Sequence, residues 1–152
     1  MQLPHSDILD IAHFSRLFDN KSECYKLFWF QAIARKIKEG QKTITFKSLI
    51  DEMIADAWYM VLEYRLNLGP NDALERVVHR LGEISNMKSC EKKEVVLEYL
   101  EACNDKEVIA MKRTLSQNVP YRLQAPFMES MKEKSGTDPE KILRKELIRN
   151  RG

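Results

Sequence analysis

The stretch from Ser22 to Ile37, SECYKLFWFQAIARKI, constrains the fold more than any other part of the chain. Read at helical spacing, it spreads Tyr25, Leu27, Phe28, Trp29, Phe30, Ala32, Ile33 and Ile37 over more than half of a helix's circumference. A helix this apolar needs cover on several sides, so it is expected to organise a bundle around itself. Ser22 is its expected cap and Gly40 its expected stop.

The rest of the chain supplies helices to cover it. Ser6 and Asp7 suit the start of a short preceding helix that ends near Asp19 and Asn20. Thr45 is placed to cap a second main helix, with Ile44 as a staple on Leu49 or Ile50. Its apolar face is expected to hold Leu49, Ile50, Met53, Ala57, Met60, Val61 and Tyr64. Of the 13 aromatic residues, ten lie between Phe14 and Tyr64, so the first half is expected to build most of the core. Gly69 and Pro70 break the pattern, and Asn71 or Asp72 caps a helix through Leu74, Val77, Val78, Leu81 and Ile84. Two further helices are expected over Glu91 to Cys103 and Asp105 to Ser116.

From Asn118 to Met128 the pattern changes. Pro120 and Pro126 bias the residues before them to extended backbone, which predicts a strap docked through Tyr121, Leu123 and Phe127. After a polar linker, Pro139 suits the first turn of a last helix through Arg149. Its apolar residues form no single stripe, as in a helix that needs a partner. The expected fold is all-α, a single-domain irregular bundle of about six to seven helices with a Pro-framed extended strap. Residues 1–130 would form the helical domain, and 131–152 the linker and C-terminal helix.

Composition limits the function classes. A domain of 152 residues buries roughly two thirds of its unfolded surface, enough for a core without disulfides or metals. The 25 basic and 23 acidic residues leave +2, too little to imply nucleic acid or membrane by itself. Cys24, Cys90 and Cys103 are odd in number and widely spaced, as expected of free thiols in a reducing compartment. No apolar run approaches the ~20 residues of a membrane span, and the N-terminus has no signal-peptide pattern. A cytoplasmic protein without a membrane is expected.

Candidate chemistry is sparse. Glu52, Asp56 and Glu63 share a flank of the second main helix; paired carboxylates can hold a metal, but this flank reads as solvated. His5, His13 and His79 are scattered, with no Cys or paired carboxylate near them in sequence. No nucleophile elbow or phosphate-binding glycine loop is present, so neither catalysis by this chain nor a cofactor is expected. Arg76, His79 and Arg80 gather on one helix, and the tail from Lys132 to Gly152 has seven Lys or Arg against four Asp or Glu. Such patches could contact phosphates, although mixed charge on exposed helices is the plainer reading. Arg122, between Tyr121 and Leu123, is positioned either to pair with an acid such as Asp56 or to face a partner.

Three stretches, taken in order, resemble the N-terminal helical region of a group of bacterial HNH endonucleases. The first carries Phe18, Asn20, Tyr25, Lys26, Trp29 and Phe30; the second Ala57, Trp58 and Tyr59; the third Pro120, Tyr121 and Arg122. The similarity covers about residues 5–128. In those relatives the nuclease is a separate module after the strap, with histidines and an asparagine that hold a metal and activate water. No histidine follows His79 here, so none of the nuclease residues maps onto this sequence.

The resemblance implies a non-catalytic accessory domain that positions a nuclease on DNA or couples it to a partner. The rival reading is a stand-alone interaction or regulatory module, which could be a homodimer through the last helix. Asn20, Tyr25, Lys26, Trp58, Arg76, Arg80 and Arg122 are the candidate binding residues. Lys26 could cross an aromatic face. Against that, Asn20 could be a cap, the aromatics core, and Lys26 a snorkelling surface cation.

Overall fold

The computed structural model describes residues 24–41 and 43–119. They form helices α1 (Tyr25–Lys38), α2 (Phe46–Leu62), α3 (Ala73–Ser85) and α4 (Lys93–Ala102), followed by α5 over 106–119. No strand occurs among the described residues, so the all-α expectation holds for them. The expected first helix, the strap beyond residue 119 and the expected last helix lie outside the described residues.

Short-range signals start and stop these helices. The Thr45 hydroxyl accepts the Ser48 N–H at 3.1 Å. Asp72 accepts from the N–H groups of Leu74 and Glu75 at 2.7 and 3.1 Å, and Asp105 accepts from those of Glu107 and Val108. Each cap satisfies amides that have no partner within the helix. At the end of α1, Gly40 takes φ +77°, with its N–H donating to the Ile37 carbonyl and that of Gln41 to Lys36. This is a Schellman stop, which needs the left-handed backbone that glycine adopts freely. Ser22, the expected cap of α1, lies outside the described residues; Cys24 holds the cap position and makes no side-chain cap bond.

Among the described residues the organising element is α2, not α1. Helix α2 packs on α1, α3 and α4. It buries Leu49, Ile50, Asp51, Glu52, Met53, Ile54, Ala55, Ala57, Trp58 and Val61, which covers nearly its whole circumference. Helix α1 buries Tyr25, Lys26, Phe28, Trp29 and Ala32 but leaves Leu27 and Ile37 exposed. The expectation went astray because it weighed apolar residues alone. Asp51 and Glu52 could be buried once cations from other helices reached them, and this enclosed the flank of α2 as well as its face.

The outer helices present narrower stripes. Helix α3 buries Leu74, Val77, Val78 and Leu81, α4 buries Val96 and Leu100, and α5 buries Val108, Leu115 and Val119. Met60 and Tyr64, expected in the core, are exposed. Helix α5 also runs past its expected end at Ser116, so Asn118 and Val119 are helical and do not begin a strap. Val119 continues the buried stripe one turn beyond Leu115, and that burial outweighs the extended bias of a residue before proline.

Candidate interaction surface

The midsection of α2 carries an ion cluster. Glu52, 4% exposed, receives Arg35 at 3.1 Å, Lys36 at 2.8 Å and Lys93. Asp56, one turn along, receives Arg35 at 2.8 Å and Lys93 at 2.7 Å. Two carboxylates of α2 thus bind two cations of α1 and one of α4. Burial pushes the Asp56 carboxyl above its ordinary range, and Arg35 opposes that shift. The Lys36 ammonium is held above its ordinary value, chiefly by its hydrogen bond to Glu52. On the next side of α2, Asp51 pairs with Lys112 of α5; burial raises its carboxyl, and Lys112 opposes the rise.

The solvated flank expected at Glu52 and Asp56 is therefore wrong. Only Glu63, just past the end of α2, remains exposed, where it accepts from the Ser89 hydroxyl. Asp56 finds Arg35 and Lys93 as partners. The cluster is an interhelical clasp in which every group already faces its counter-charge.

The candidate binding residues occupy different environments. Trp58 is 1% exposed, and its indole N–H donates to the Lys88 carbonyl at 3.1 Å; it is a core residue. Tyr25 is buried, and so is Lys26, at 9% exposure, so Lys26 does not snorkel to water. Arg80 is surrounded by acids: Asp105 at 3.0 Å, Glu107 at 2.9 Å and Glu83 at 3.6 Å. The same hydrogen bond from Arg80 keeps the Asp105 carboxyl below its ordinary range. Arg76 is exposed. Asn20 and Arg122 lie outside the described residues.

Burial also marks Tyr25. Its phenol is pushed up from 10.0 to about 12, first by burial and then by the nearby Asp72 carboxylate. The folded state therefore favours the neutral phenol. The stability this contributes is complete below pH 10 and is lost as the pH climbs through about 12. Ultraviolet titration of tyrosinate is expected to show a late step from Tyr25, together with unfolding. A Tyr25→Phe variant should lose that late step.

Another surface, at the C-terminal end of α2, was not singled out by sequence reading. Val61, Leu62, Arg65, Leu66, Asn67, Glu75 and His79 line an open cleft of about 280 Å³. Tyr59, Met60, Tyr64 and Leu66 in this region are all exposed, Tyr64 at 65%. The Tyr59 and Tyr64 rings meet edge to face, with centroids 4.9 Å apart. The chain leaves α2 through two wrapped bonds, from the Tyr64 N–H to the Tyr59 carbonyl and from the Leu66 N–H to the Met60 carbonyl. Between them Arg65 takes φ +53°, a left-handed conformation that costs a residue with a Cβ roughly 1–2 kcal/mol. Glu75 is engaged inside the cleft, accepting the Leu68 N–H at 2.7 Å and lying 3.7 Å from His79.

Among the described residues no three His, Cys, Asp or Glu side chains gather as a metal site, and no helix is long and apolar enough to cross a membrane. No family model, curated protein or solved structure matches the chain.

Proposed function

We propose that the chain is a non-catalytic helical domain that couples an HNH-type nuclease to a protein partner. The nuclease side of this reading rests on the sequence resemblance. The observation that supports coupling through protein contact is the set of exposed apolar residues about the C-terminal end of α2, Tyr59, Met60, Tyr64 and Leu66, of which Leu66 lines the cleft. Contiguous exposed apolar groups rimmed by polar ones mark interaction sites. DNA positioning has less support, because Arg35, Lys36, Arg80, Lys93 and Lys112 are bound to carboxylates of the same domain.

A photo-crosslinking side chain in place of Tyr64, compared with one in place of the exposed Glu98 on α4, tests this in cells. A protease-sensitive adduct from position 64 alone is expected. A nuclease-sensitive adduct would move DNA positioning to first place, and no adduct from either position would overturn the proposal.

A further inference from the structure

Resting on that protein-coupling reading, we infer that the cleft beside Arg65 docks a short acidic amphipathic peptide segment of the partner. An apolar side chain of the peptide would lie over Val61, Leu62 and Leu66, while a carboxylate faces Arg65.

Charge carries the first part of the argument. The described residues include five arginines: Arg35, Arg65, Arg76, Arg80 and Arg113. Arg35 and Arg80 are held by carboxylates within 3.1 Å. Arg65 lines the cleft, and Arg76 is one position along α3 from the lining residue Glu75. Neither is in an ion pair among the described residues, and Arg76 acts on Asp72 only at longer range. Glu75, the one acid in the lining, is already committed to the Leu68 amide. Arg65 therefore brings to the lining guanidinium donors that no carboxylate of the described residues holds, which suits a carboxylate-bearing ligand.

Backbone conformation carries the second part. Position 65 has a φ that glycine would adopt without strain, yet it holds an arginine. A side chain kept against its own backbone preference is a pointer to use. The apolar lining and the neighbouring Tyr64 and Leu66 favour a peptide with an apolar anchor over a uniformly charged polyanion.

The two requirements meet in one variant. Arg65→Gly removes the guanidinium while relieving the backbone, so its fold is retained. Phage-displayed random peptides selected on the full chain supply the probe, and the enriched peptides are then synthesised for titration. Enriched sequences are expected to pair acidic residues with an apolar anchor and to lose about tenfold or more in affinity for Arg65→Gly, as for loss of a charged hydrogen bond. Leu66→Asp should abolish binding, and raised salt should weaken it.

Peptides without acidic residues, or acidic peptides that bind Arg65→Gly as well as the parent chain, would overturn the cleft assignment and leave the protein-coupling reading standing. If no peptide is enriched and a single-stranded oligonucleotide binds in an Arg65-dependent way, both the assignment and that reading fail.

Discussion

Trp58→Ala is expected to lower the unfolding free energy by about 3–5 kcal/mol, the usual range for removing a large aromatic from a core. That loss is comparable to the whole stability of many domains, which is about 5–15 kcal/mol. The indole lies on α2, which packs on three other helices, and is almost fully enclosed. Truncation leaves a cavity that surrounding helices can only partly close. The Lys88 carbonyl loses its indole donor too, a smaller effect because Lys88 is exposed and water can replace the bond. Trp58→Phe separates the two contributions, since it keeps most of the ring volume and loses the N–H; about 1–2 kcal/mol is expected. Urea unfolding of both variants checks the ordering. A Trp58→Ala chain as stable as the parent would mean that the indole is not in the core and would return it to the candidate binding residues.

The helices were legible because their signals are local. Thr45, Asp72 and Asp105 each accept from amides two or three residues onward, and Gly40 makes its stop with neighbours on α1. A reader of the sequence sees both partners of such a bond within one window. The identity of the central helix was not local. Asp51 and Glu52 interrupt an apolar run between Ile50 and Met53, a pattern that fits either a wet flank or a buried acid with partners elsewhere. The deciding partners are Arg35 and Lys36 on α1, Lys93 on α4 and Lys112 on α5, and no spacing rule links them.

The cleft was obscured for a different reason. Tyr64 fits the helical period of α2, and so it was assigned to the core face. The helix ends at Leu62, and the left-handed turn at Arg65 leaves Tyr64 and Leu66 exposed. The overrun thus changes Tyr64 from an expected core residue into a surface one, beside Leu66. Arg76 and Arg80 show the same limit, because they are neighbours on α3 with opposite situations: three acids surround Arg80, while Arg76 is exposed. Only the approach of Asp105 and Glu107 from the start of α5 distinguishes them.

Glu52→Ala is expected to cost about 3 kcal/mol, near the low end for breaking a buried ion pair. Arg35 and Lys93 would then share Asp56 alone, and Lys36, only 13% exposed, would lose its closest carboxylate and keep only Glu39 at 3.5 Å. The cost stays near that low end because Arg35 and Lys93 retain Asp56 and are 33% and 24% exposed, so water and salt can meet part of their charge. Glu52→Gln should cost less, since the amide oxygen can still accept a hydrogen bond. A double-mutant cycle with Lys36→Ala isolates the pair: Lys36→Ala should be clearly destabilising in the parent and nearly neutral beside Glu52→Ala. An effect of Glu52→Ala within ~0.5 kcal/mol, the range of ordinary surface substitutions, would instead show a solvated flank. Arg65 lies 13 positions further along the chain, roughly 15–20 Å away if spaced as in a helix. Glu52→Ala should therefore lower stability and leave peptide affinity unchanged where the domain remains folded, whereas Arg65→Gly should do the reverse. The ion clasp would hold the helices together, and the far end of α2 would carry recognition.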